Sequence, residues 1–212
     1  MKLDGRAQAR EVTRSVATTE HEGIPARVAV ISQTYGAPIA QVWEACTTAE
    51  RLPRWFLPVT GDLRLGGRYQ FEGNAGGEIL RCEEPDLIAV TWEYGGEVSW
   101  LTVRLREVDD GTELVLEHMA HVDDERWTEF GPGAVGVGWD MALLGLSAHL
   151  SGAAAVDPAE AQRWFASDEG IGFVMDSSDD WRRAAVADGD DPDAAAAAAA
   201  RTAAAYTGGA PG

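Results

Sequence analysis

The sequence predicts an α+β domain, a curved antiparallel sheet closed around a long C-terminal helix, followed by a helical extension. Short stretches of alternating apolar and polar residues lie between 27 and 122, joined by Gly66-Gly67, Gly76-Gly77, Pro85-Asp86, Gly95-Gly96 and Asp110-Gly111. Such spacing of strands and turn pairs belongs to an antiparallel meander. Residues 131–152 then place Val135, Trp139, Leu143, Leu146 and Leu150 at helical spacing. No strand–helix–strand rhythm occurs, which argues against a parallel nucleotide-binding sheet.

Taken in order, residues 1–24 are polar, mixed in charge and without a sustained period, and read as a flexible leader. RVAVISQTY (27–35) alternates as a strand. Pro38 suits a first helical turn, and Ile39, Val42, Trp43 and Cys46 form one stripe of the helix over 38–48. A second short helix over 49–56 should break at Pro53. Strand parity then sets the inward faces: Tyr69 with Phe71; Glu78 with Leu80 and Cys82; Ile88, Val90, Trp92 and Tyr94; Leu101, Val103 and Leu105; Leu114 and Leu116 with His118. Four glycines between 131 and 138 weaken the start of the long helix by about 1 kcal/mol each against Ala. They suit the close approach of a neighbouring backbone or a ligand, and the ordered helix is expected to start nearer Val135. In the extension, 157–167 reads as a helix, 170–189 as a helix in two parts, and 191–208 as an Ala-rich helix. That last helix has little apolar area to bury, which leaves weak docking, packing against a second copy or fraying open, with a solvated tail as the bland reading.

The chain has 212 residues, 35 acidic against 17 basic, and a net charge of −18. No basic stripe is present to meet phosphates, which argues against nucleic acid and anionic membrane as partners. The run Asp176, Asp179, Asp180, Asp188, Asp190, Asp191 and Asp193 lacks the glycine and terminal Glu of a calcium loop and reads as a solvated face. Cys46 and Cys82 show no metal-ligand spacing and read as buried thiols of a reducing compartment. No signal-like segment and no apolar run of ~18 residues is found, so a cytoplasmic location is expected. Phosphate-binding loops, HExxH and GxSxG motifs are absent from the sequence, and neither a metal nor a cofactor is expected.

Several local patterns resemble one family. They are Pro38 with VWEACTTAERLPRWF (42–56), GDLRLGGRYQF (61–71), GEILRCEEPDLIAVTWEY (77–94), GTELVLEHMAH (111–121) and Gly138-Trp139. In this order they resemble the START-like (SRPBCC) superfamily, in the group related to the C-terminal domain of the Hsp90 ATPase activator Aha1. The resemblance implies a helix-grip domain over 25–152, with residues 1–24 as leader and 153–212 as extension. It also implies an apolar cavity between the sheet and the long helix. The residues expected to line it are Tyr69, Phe71, Leu80, Val90, Trp92, Val103, Leu116, His118, Trp139 and Leu143.

Three functions follow as expectations, because this fold hosts unrelated activities. The first is binding of a small hydrophobic molecule. The second is an enzyme of the cyclase, dehydratase or isomerase kind, with His118 as general base or orienting group and Glu78 as its inward carboxylate. The bland reading of His118 is a core histidine satisfied by a neighbouring backbone or hydroxyl group. The third is an interaction protein, either co-chaperone-like or a homodimer joined through the C-terminal extension.

Overall fold

The structure, a computed structural model, describes Gly5, Gln8, residues 11–152 and residues 157–208. Eight strands form an antiparallel sheet: β1 (Thr13–His21), β2 (Ile24–Tyr35), β3 (Val59–Gly61), β4 (Arg68–Phe71), β5 (Gly76–Glu83), β6 (Leu87–Tyr94), β7 (Glu97–Val108) and β8 (Gly111–His121). Their order is β1-β2-β8-β7-β6-β5-β4-β3. Helix α1 (Ile39–Thr47) and a 3-10 turn (Leu52–Arg54) lie between β2 and β3. Helices α2 (Asp124–Phe130), α3 (Gly133–Leu150), α4 (Pro158–Phe165), α5 (Asp168–Asp188) and α6 (Pro192–Thr207) follow β8. The chain divides into two interleaved compact units. The first comprises Met1–Ile31, His121–Leu144 and Asp157–Gly212, the second Ser32–Ala120 and Gly145–Val156.

The second unit is the expected meander. β6 and β7 pair without interruption from Leu87↔Arg104 to Tyr94↔Glu97, and β7 pairs with β8 from Trp100↔Met119 to Val108↔Gly111. Helix α1 buries Val42, Trp43 and Ala45 and packs on β7. Pro38 sits one position earlier than expected, as its N-cap. Pro53 does not break the next element: a 3-10 turn runs through it, at an early position where the missing N–H is not needed. Trp55 Nε1 donates to the Ala45 carbonyl at 2.9 Å, tying that turn to α1. Strand β3 was not legible, being three residues long.

The first unit departs furthest from expectation. Of the leader expected over 1–24, residues 1–4, 6, 7, 9 and 10 lie outside the described residues, and the rest includes strand β1. Arg14 on β1 fixes it, with Nε and Nη2 donating to Asp140 of α3 and Nη1 donating to Asp180 of α5 at 3.0 Å. Asp140 is wholly buried, and its Oδ2 also accepts from Ser177 Oγ at 2.6 Å and Trp181 Nε1 at 2.9 Å. A buried carboxylate is tolerable only with such complete pairing. Asp180 and Asp190 are thus not a solvated face: Asp190 accepts from Arg27 and from Trp127 Nε1.

Helix α5 is continuous over 21 residues, where two parts were expected, with Ser167 capping its start and left-handed Gly189 ending it. The Ala-rich α6 is docked, not solvated. Ala195, Ala198 and Thr202 are buried. Arg201 and Thr202 donate to the Thr128, Glu129 and Phe130 carbonyls, the last of α2 that its own ladder leaves open. Residues 153–156 and 209–212 of the expected extension lie outside the described residues. The glycines of α3 answer to close neighbours. A Cβ on Gly136 would collide with the Trp181 indole, and one on Gly133 would come 3.0 Å from Thr202 Cγ2. Val135, expected on the inward stripe, is exposed, and Val137 is buried instead. Among the described residues no helix is long and apolar enough to cross a membrane.

Candidate ligand cavity

The second unit holds an apolar cavity of about 100 Å³ on the inner face of β4–β7. The sheet contributes Tyr69 and Phe71 from β4, Ile79 and Cys82 from β5, Ile88, Val90 and Trp92 from β6, and Leu101 and Val103 from β7. Cys46 and Thr47 of α1, Leu52 of the 3-10 turn, Val59 and Leu63 form the opposite wall. That wall was expected to be the long helix.

Aromatic contacts stiffen one end. Phe71 packs edge-on against Phe56 and Tyr69, with ring centroids 5.0 and 5.3 Å apart, and tilts against Trp92 at 5.8 Å. Tyr69 Oη donates to the Thr91 carbonyl at 2.7 Å, so its polar end is satisfied. Burial raises its phenol pKa and keeps it neutral. Thr47 Oγ1 donates to the Trp43 carbonyl of its own helix. Burial pushes the Cys46 thiol up to about 12, against the pull of Arg51, though the residue as a whole is only partly covered. Cys46 therefore presents an inert S–H and not a thiolate. Cys82, expected to be buried, is exposed and borders the same cavity.

A bulge in β5 explains two misplaced residues. Ile79 pairs with Val90 and Arg81 with Ala89, so Leu80 is the extra residue. Parity inverts there: Ile79 faces inward before the bulge and Cys82 after it, while Leu80 is exposed. Counting back by twos from Cys82 put Leu80 and Glu78 inside. Glu78 instead pairs across the sheet with Arg68, whose head group is exposed, on the face away from Tyr69.

His118 is buried beside the cavity but does not line it. Its Nε2 lies 2.8 Å from Ser99 Oγ, and Ser99 Oγ donates to the Trp92 carbonyl at 3.1 Å. One hydroxyl proton serves both contacts only if Nε2 carries the imidazole hydrogen. Burial lowers the His118 pKa to about 4, so the ring is neutral near pH 7. His118 shares a cross-strand row with Leu101, Val90 and Ile79. Three strand spacings put it about 14 Å from Ile79, Glu78's neighbour, and on the opposite face from Glu78. The Glu78–His118 pair is not formed.

Of the expected lining residues, Tyr69, Phe71, Val90, Trp92 and Val103 line the cavity. Leu116 is buried one strand further along, opposite Val103. Trp139 and Leu143 are buried residues of the first unit. Ile79 and the α1-side residues were missed, the first because of the bulge and the others because wall contacts from separate elements leave no periodic signal.

The family model for activator of Hsp90 ATPase homolog 1-like proteins matches residues 36–151, more than half of the chain. The chain belongs to this family. The fold of this AHSA1-like protein is that of the START-like superfamily. CalU16 from Micromonospora echinospora is 34% identical; its crystal structure superposes with a TM-score of 0.66, covering 82% of this chain and 97% of CalU16. Its solution structure gives 0.68, covering 84% and 96% at the same identity. MLL2253 from Mesorhizobium loti shares the fold at 19% identity and a TM-score of 0.53, over 59% of this chain and 97% of that one. DynU16, a protein of the dynemicin biosynthetic locus, shares it at 20% and 0.53, over 61% of this chain and 49% of its own. No curated protein matches the AHSA1-like chain significantly.

Proposed function

We propose that the protein binds a small hydrophobic molecule through the cavity of the second unit. The supporting observation is a gap lined by aliphatic and aromatic side chains whose polar atoms are nearly all satisfied elsewhere. Members of this fold bind hydrophobic ligands or are polyketide cyclase-like. An apolar cavity of about 150 Å³ holds benzene, whereas pockets for drug-sized ligands measure roughly 300–1,000 Å³. The present cavity thus takes one small apolar group, and a larger ligand leaves its remainder at the mouth, beside Cys82. His118 lacks both a place in the lining and the Glu78 partner, so the binding reading is preferred to the enzymatic one.

Titration with toluene, followed by methyl NMR, tests this. Shifts should concentrate on Ile79, Ile88, Val90 and Leu101, and Val90→Phe should fill the space and abolish them. Unchanged methyl resonances in the native protein would refute the reading.

A further inference from the structure

The cavity wall formed by α1 and the 3-10 turn is joined to the end of α3 by two contacts within the second unit. A Cβ on Gly145 would come 2.5 Å from the Trp55 carbonyl oxygen, so the helix rests against the backbone of the turn. One helical turn further along, His149 Nε2 lies 3.2 Å from Arg51 Nε and 3.1 Å from Arg51 Nη2. Arg51 opens the 3-10 turn, and the next residue, Leu52, is buried and lines the cavity.

Donor counting fixes the state of the ring. A guanidinium has donors only, so a ring nitrogen that meets two of its N–H groups must carry a lone pair. His149 is therefore neutral in this arrangement, with its hydrogen on Nδ1. A second proton would set an Nε2–H against two Arg51 N–H groups and place like charges in contact. Burial first, and then the Arg51 and Arg54 guanidiniums, hold the His149 pKa below the ordinary 6.5. Two groups favour the charged ring instead. One is the C-terminal end of α3, whose open carbonyls attract a cation. The other is Glu44 of α1, which accepts from Arg51 Nη1 at 3.2 Å and makes no ion pair with the ring among the described residues. Glu44 also gives Arg51 a partner to keep when His149 lets go.

We propose that the Arg51–His149 contact is a pH-sensitive latch on the cavity wall. Protonation of His149 parts it from Arg51, frees the turn that carries Leu52, and weakens the grip of the sheet cavity on its guest. The last step rests on the binding reading above, and the first two do not.

Titration of toluene at about pH 7.5 and about pH 5 tests the latch in the native protein and in two His149 variants. Native affinity should fall roughly three- to tenfold at the lower pH, the scale of one lost charge-assisted contact. In His149→Gln the amide oxygen still accepts from Arg51 but does not titrate, so affinity should stay at the native high-pH level throughout. His149→Lys carries its charge at both pH values and should bind weakly at both. His118→Gln should retain the native pH response, which separates the latch from the other histidine of the unit. A second readout needs no ligand. The Trp55 and Phe56 amides donate to the Leu52 carbonyl. Their hydrogen-exchange protection, corrected for intrinsic pH dependence, should drop at the lower pH in the native protein and not in His149→Gln. If toluene binds at neither pH, the binding reading fails and these amides still decide the latch. Native affinity or protection that ignores pH, or a response that survives in His149→Gln, would overturn the proposal.

Discussion

The two compact units bury polar groups in opposite ways. The first unit closes its core around an ion pair: Asp140 has no exposed surface, and both of its oxygens are engaged by Arg14, Ser177 and Trp181. The second unit keeps its core almost free of charge and leaves space in it, with neutral His118 as a buried titratable group beside the gap. A fully paired charge fixes element positions, because each partner has a directional requirement. An apolar gap makes no such demand and can accept or release a guest. The first design gives one arrangement and the second gives capacity.

The sharpest way to break this contrast is Asp140→Ala. It leaves Arg14 buried without its principal counter-charge and should cost about 3–5 kcal/mol in urea unfolding. Arg14→Met with Asp140→Leu should recover part of that loss. A cost below about 1 kcal/mol for Asp140→Ala would show that the pair does not organise the unit.

The second unit predicts a pH limb. The folded pKa of His118, about 4, lies below the ordinary 6.5, so as pH falls the unfolded chain binds the proton first. Its contribution is fully present above pH 6.5 and is lost as pH falls toward 4, by up to about 3 kcal/mol. His118→Gln should flatten unfolding midpoints measured across that window, and an unchanged slope would remove His118 as their source.

Two glycines give the smallest effects, of opposite sign. Gly136→Ala drives a methyl into the Trp181 indole and should cost about 1–3 kcal/mol. Gly172→Ala points into open space on α5 and should stabilise by about 0.5–1 kcal/mol. Thermal melts of the pair would reveal whether α3 and α5 are packed as tightly as the indole contact implies.

The sequence legibly encodes what depends on local repetition. The strands from 68 to 121 follow from two-residue turns and alternation, and parity puts every sheet residue of the cavity except Ile79 on the inward face. The bulge at Leu80 is invisible to that rule, because one inserted residue flips the count without changing composition. Strand β1 is illegible for another reason. TRSVATTEH has one buried residue, Val16, and its anchor is Arg14, whose partners come from α3 and α5. The Ala-rich α6 carries too little apolar area to announce its burial. What docks it is a set of side-chain bonds from Arg201, Thr202 and Tyr206 to backbone carbonyls.

The separation between Arg14 and Asp180, 166 residues, has a consequence for how the chain is made. Translation proceeds at about 5–20 residues per second, so β1 emerges roughly ten to thirty seconds before the helix that holds its arginine. The meander of the second unit is contiguous and can pair as it leaves the ribosome. Strand β1 can pair with β2 at once, but its Arg14 face must wait for the C-terminal helices, uncovered meanwhile. The charge of Arg14 and the polar face of TRSVATTEH suit that interval, since a charged, weakly apolar strand is a poor template for a neighbouring chain.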